Sequence, residues 1–269
     1  MEAIGDIRLG LLGGFELLRD GDALELSAAV QRLVAFLALR KKPALRTHVA
    51  GVLWMESDDD HASACLRSAL WRLSSCCRGL VQASASHLRL NTLVAVDYRQ
   101  AAAVALRLLD PTSTLAQTDL SDLARAEDVL PDWGDEWLLV EREQFRQLRM
   151  HALEASCARL LDAGRIGEAV QAGLAAVACE PLRESAQRVL IRVHLAQGNY
   201  AEAKRQYGSY RGLLRKELDL EPTIQMKALM APIARHSVGG RASTGQLVLE
   251  RCRTSSGHPA SLARVRTSV

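Results

Sequence analysis

No stretch of the chain approaches the roughly 20 uninterrupted apolar residues that a membrane-spanning helix needs. Residues 1–21 also lack the basic start and apolar run of a secretory leader. These two absences place the expected location in the cytoplasm, with no membrane partner. Cys-x-x-Cys pairs are missing as well. The six cysteines (Cys65, Cys76, Cys77, Cys157, Cys179, Cys252) are scattered, and neighbours Cys76 and Cys77 make a poor structural disulfide, so reduced thiols are expected. His61 with Cys65, or Cys252 with His258, offers two ligands where a structural zinc site takes four, so neither a metal nor another cofactor is expected. The chain has no Walker loop, no Gly-x-Ser-x-Gly elbow and no His-Glu-x-x-His helix, and the glycines between Gly240 and Gly245 have the wrong spacing for any of them. Glu141 and Glu143 stand two apart on a helical pattern and do not face one another. An enzyme is not expected.

What the chain does have is enough apolar material for two ordinary domains. Its 269 residues are 48% hydrophobic and 24% charged, with a mean hydropathy of -0.01, which excludes global disorder. The formal net charge of +3 hides a sorted distribution. Residues 1–25 carry six acids against Arg8 and Arg19, whereas residues 26–55 hold Arg32, Arg40, Lys41, Lys42 and Arg46 with no acid. Residues 61–96 hold Arg67, Arg72, Arg78 and Arg89, again without an acid, after the short acidic run Glu56, Asp58, Asp59, Asp60. Segregation of this kind makes a field that attracts phosphates, although blocks of this size also occur on ordinary solvated surfaces.

The apolar runs 7–12 and 15–18, with the turn signal Asp20-Gly21, predict a small antiparallel sheet. Val30, Leu33, Val34 and Leu37 then follow helical spacing to Pro43, and 45–54 repeats the pattern with Val49, Val52 and Leu53. A third helix is expected over 61–78, capped by Asp59 or Asp60. At 100° per residue its Leu66, Ala69, Leu70, Leu73 and Cys77 form a core stripe. The opposite side carries Ser63, Arg67, Ser68, Trp71, Arg72 and Ser75. Small hydroxyl residues allow close approach, and arginine forks suit phosphate oxygens or the O6/N7 edge of guanine. Taken alone this also describes a plain surface helix. A strand at 80–83, a polar turn at 84–86 and an alternating strand at 87–90 follow, which together with the three helices predict a winged helix-turn-helix resembling the OmpR/PhoB type.

The second half repeats itself. Leu161, Gly164, Glu168 and Ala169 recur 34 residues later as Leu195, Gly198, Glu202 and Ala203, the tetratricopeptide (TPR) spacing. Pro181 marks the boundary between units; 136–162 is read as a long first helix and 222–234 as a closing one. Repeats of this kind present protein-binding or self-packing surfaces. The segment 237–269 is rich in Ser, Thr and Gly with a basic excess, and is read as a mobile tail. The expected fold class is mainly α with a small β component: a winged-helix DNA-binding domain over 1–96, a TPR-like helical domain over 97–235, and a basic tail over 236–269.

Three stretches carry a resemblance. His61 to Leu73 (HASACLRSALWRL) resembles the recognition-helix region of SARP-type regulators, which join an OmpR-like winged helix to a bacterial transcriptional activator domain (BTAD). Leu130 to Arg149 (LPDWGDEWLLVEREQFRQLR) looks like the segment that opens the BTAD repeats, and Leu213 to Pro222 is similar to its Leu-Glu-Pro ending. The resemblance implies an activator of a specialised-metabolite gene cluster that binds direct repeats in double-stranded DNA side by side or as a homodimer and contacts RNA polymerase. It implies that Arg67 and Arg72 reach bases or phosphates and that Ser63, Ser68 and Ser75 bond the backbone. Trp71 would pack on sugar or a thymine methyl, or else be partly buried against the wing. His87 and Arg89 are the wing candidates, and Arg40, Lys41 and Lys42 either meet flanking phosphate or form a solvated cluster. The chain departs from the family at Cys65, where Asn is common, at Ser74, where a basic residue is common, and at Ala85-Ser86, where the wing usually has Gly. The alternatives are a TPR-like adaptor whose winged helix no longer binds DNA, and a repressor of the same architecture.

Overall fold

A computed structural model of the chain describes residues 6–231. The expected tail over 236–269, the last three residues of the closing helix read over 222–234, and Cys252, His258 and the 240–245 glycines all lie outside the described residues. Among those described, the mainly α class with a small β component holds.

Strands β1 (Ile7–Gly10), β2 (Glu16–Arg19) and β3 (Asp22–Ala23) form an antiparallel meander. Its tight turn is Asp20-Gly21, with φ of 54° and 96°, the left-handed pair that a two-residue hairpin loop needs and that Gly adopts without strain. The meander is widened by β7 (Ala95–Val96), which returns late in the chain to pair parallel with β1, giving the order β3-β2-β1-β7. Hydrophobic spacing within 7–26 carries no sign of that fourth strand.

Helices α1 (Ala28–Leu39), α2 (Arg46–Leu53) and α3 (Asp59–Cys76) follow. All seven α1 residues from Leu33 to Leu39, and Val30 before them, are buried, so α1 is the axle of the first core. It stops at Leu39, and Arg99 closes its end: Nε donates to the Ala38 carbonyl at 2.8 Å, and a terminal nitrogen reaches the carbonyls of Leu37 and Arg40. Those orphan acceptors would otherwise need water or a cap. The cap of α3 is Asp58, not Asp59 or Asp60. Its Oδ1 accepts from the His61 backbone N–H at 2.7 Å, while Asp59 and Asp60 occupy the first turn, where carboxylates favour the positive end of the dipole. The helix therefore starts two residues earlier than the apolar spacing indicates. Strands β4 (Ala44–Leu45), β5 (Val81–Ala83) and β6 (His87–Leu90) make a second sheet in the order β4-β6-β5.

From β7 onward the described chain is helical: α4 (Asp97–Leu109), α5 (Gln117–Arg125), α6 (Glu136–Asp162), α7 (Ile166–Cys179), α8 (Glu184–Ala196) and α9 (Tyr200–Leu218), then a helical stretch at 224–231. The turns α6–α7 and α8–α9 are copies. Gly164 and Gly198 both have φ of 70°; Gly164 N–H donates to Leu161 and Arg165 N–H to Leu160, and 34 residues later Gly198 donates to Leu195 and Asn199 to His194. This doubly bonded helix end needs a left-handed residue, which is the physical reason for Gly at both positions. Ala169 and Ala203, fully buried in α7 and α9, let each helix pack closely on its predecessor.

The two halves share a core. Leu130 and Gly13 N–H groups donate to the carbonyls of Leu11 and Asp128, and Arg142 gathers the carbonyls of Val129, Leu130 and Trp133. Arg32 on α1 pairs with Asp135, and Phe36 meets Trp137 edge-on with centroids 5.3 Å apart. The apolar cluster of the first half accordingly continues through Leu138 and Phe145 of α6.

Candidate nucleic-acid interface

Helix α3 is 18 residues long, roughly 27 Å at 1.5 Å per residue. Ala62, Leu66, Ala69 and Leu73 are buried in the core shared with α1 and α2, with Cys77 buried just past the helix end. Burial also pushes the Cys77 thiol up, with a hydrogen bond from Arg19 acting weakly the other way. This anchorage turns the other side outward. Arg67, Ser68, Trp71, Arg72 and Ser75 are exposed, and Ser63 is half-buried. Trp71 is 71% exposed, so it does not pack against the hairpin. Arg67 and Arg72 make no hydrogen bond or ion pair among the described residues, so both guanidinium groups keep all five donors for a ligand. The serines divide. Ser68 is free to donate, whereas Ser75 donates to the Trp71 carbonyl at 3.1 Å and Ser74 to the same oxygen at 2.7 Å. Ser75 must rotate away from its own helix before it can meet phosphate. Cys65 lies half-buried beside the core stripe.

The β5–β6 hairpin is closed without glycine. Ser84 Oγ accepts from the His87 backbone N–H at 2.9 Å, and the Ser84 N–H donates to the His87 carbonyl, so a serine side chain holds the turn at Ala85-Ser86. His87 and Arg89 are exposed on β6; Ser86 Oγ lies 2.8 Å from His87 Nδ1, and Arg89 Nε donates to Gln82 Oε1 at 2.6 Å. Arg46, at the start of α2, ties the hairpin down through its own N–H to Ser86 and its guanidinium to the Ser84 carbonyl at 2.9 Å. Sequence reasoning missed Arg46 as a positioning residue; its place in an acid-free basic block was the available signal.

The candidate cations fall into two groups. Arg67 and Arg72 stand on α3. Arg40, Lys41 and Lys42 follow α1 and line one groove together with Arg89, and no α3 residue lines it. Arg40 lies over the Phe36 ring at 4.6 Å, while Lys41 and Lys42 are exposed.

Residues 122–234 match the family described as bacterial transcriptional activator domain. Over 249 residues the chain is 28% identical to the regulatory protein AfsR of Streptomyces coelicolor, an alignment that covers 86% of this chain and 24% of AfsR. In fold it is similar to Mycobacterium tuberculosis EmbR, solved in complex with a low affinity phosphopeptide, with a TM-score of 0.61 at 20% identity, covering 94% of this chain and 73% of that one. The activator-domain match and the AfsR alignment support a SARP-type transcriptional regulator. The chain spans about a quarter of the length of AfsR, and its α3 surface lies outside the stretch that matches the activator domain. That stretch begins within α5 and takes in α6 to α9.

Proposed function

We propose that this chain is a SARP-type regulator that binds double-stranded DNA sequence-specifically, with α3 in the major groove and the β5–β6 hairpin as a wing on the neighbouring backbone. The observation that carries the reading is the pair Arg67 and Arg72: two exposed guanidinium groups without a partner among the described residues, on the outward side of one helix, with Trp71 between them. A surface helix with no ligand commonly ties such arginines to acids at i±3 or i±4; the face of α3 beyond its first turn contains no acid. The copied turns at Gly164 and Gly198 support a TPR-like reading of the helical half, as a surface for self-association and for RNA polymerase. Activation of a specialised-metabolite gene cluster through direct repeats rests on the family resemblance.

The test is a titration of affinity for duplexes from the promoters neighbouring its own gene, against salt. The logarithm of the association constant falls by about 0.9 per neutralised phosphate for each decade of salt. A flat line ends the DNA reading in favour of an adaptor. Transcription with purified polymerase separates an activator from a repressor.

A further inference from the structure

A groove of about 830 Å³ lies between the end of α1, the end of β6 and the facing sides of α4 and α6. Small-molecule sites occupy roughly 300–1,000 Å³. Its floor is apolar and aromatic, made of Tyr98, Ala102, Phe145 and Leu148; the Tyr98 and Phe145 ring centroids are 5.3 Å apart, tilted by 51°. Its rim is cationic. Lys41 and Lys42 are exposed and have no hydrogen bond or ion pair among the described residues. Arg40 rests on a ring and Arg89 on a neutral amide, so neither charge is offset by a carboxylate among the described residues. Arg99, beneath them, is held by α1 carbonyls, and Glu141 is the single acid among the lining residues. The half-buried Tyr98 phenol is pushed up, first by burial and then by Glu141, so it stays a protonated donor at neutral pH.

We propose that this groove is a binding site for a small organic anion, a ring-bearing carboxylate or phosphate whose flat body lies on the half-buried Tyr98 ring and Leu148, with Phe145 packed behind Tyr98, while its acid group meets Lys41 and Lys42. The two parts of the lining select against other occupants. A neutral apolar molecule leaves the excess cations uncompensated. A DNA backbone satisfies the rim but has nothing to place on the aromatic floor. A basic segment is repelled. The walls come from both halves of the chain, so an occupant is linked to whatever their relative placement controls.

The probe is anilinonaphthalene sulfonate, a ringed anion, titrated into the full chain and followed by fluorescence. One saturable site per chain is expected. Phenylnaphthylamine, with the same rings and no sulfonate, is expected to bind at least about tenfold more weakly, a difference of about 1.4 kcal/mol. Reversing two exposed charges with Lys41→Glu and Lys42→Glu weakens the anionic dye by a similar factor and leaves the melting temperature unchanged. Ala102→Trp fills the floor and abolishes dye binding, whereas Arg67→Ala leaves it unchanged, which keeps this result separate from DNA binding. Equal binding of the two dyes, indifference to charge reversal, or lack of saturation would overturn the proposal. Displacement of the dye by a short duplex would also overturn it and assign the rim to the DNA backbone.

Discussion

Arg67→Ala separates base recognition from simple phosphate attraction. The side chain is exposed and bonds to nothing else among the described residues, so its loss changes folding stability by no more than about 0.5 kcal/mol. Its effect on DNA is larger. A guanidinium fork on the O6/N7 edge of guanine contributes about 1–3 kcal/mol of discrimination, which is about five- to 150-fold in affinity. Fluorescence anisotropy with the cognate duplex and with single base-pair variants reads this directly. The expected result is a loss confined to the cognate sequence, with the penalty for one base-pair change abolished. If Arg67 holds phosphate instead, affinity drops equally on every duplex and the salt slope shrinks by about 0.9. Arg67→Lys keeps the charge without the fork, so it rescues the second case and not the first. Unchanged affinity and unchanged salt slope in the Arg67→Ala, Arg72→Ala double variant, with its melting curve intact, would refute the reasoning that assigns α3 to DNA.

Three further outcomes are expected. Asp58→Ala removes the side chain that accepts from His61 N–H and lowers unfolding free energy by about 1 kcal/mol in a denaturant titration, whereas Asp60→Ala costs less because it caps nothing. Gly164→Ala and Gly198→Ala each place a Cβ in open space at φ of 70°, so each costs about 1 kcal/mol from backbone strain alone, and the pair adds; unequal costs would break the equivalence of the two turns. Glu168, beside Arg165, and Glu221, beside Arg211 and Arg215, have pKa values held below the ordinary carboxylate value by those partners. Their stabilisation is full above the unfolded carboxylate pKa and is lost as pH falls through the depressed folded values. Melting temperature is therefore expected to be flat near neutrality and to fall on acidification, less steeply once Arg165 and Arg211 are replaced by Gln.

The exposed face of α3 was legible because Leu66, Ala69 and Leu73 repeat at helical spacing, and burying that stripe forces Arg67, Trp71 and Arg72 outward whatever surrounds the helix. The cap was misread because three consecutive aspartates offer the same chemistry, and the choice of Asp58 depends on where the chain turns after Trp54. Helices α4 and α5 went unread. Their buried positions, Ala105 and Leu108 in one and Leu120 and Leu123 in the other, are too few to stand out as a stripe until α6 and α7 are packed against them.

The sequence by itself determined the local structure: the Asp20-Gly21 hairpin, the periodic helices, the 34-residue recurrence of Gly164 and Gly198, and the outward cations of α3. Each follows from constraints acting within a few residues, such as side-chain period and left-handed backbone conformations. Only the tertiary structure decided that β7 pairs with β1, that Arg99 closes α1, that Arg46 holds the hairpin, and that Arg40 to Lys42 share a groove with Arg89, Tyr98 and Phe145. Those partners lie tens of residues apart, and nothing in either segment's pattern specifies the other until the core common to both halves brings them together.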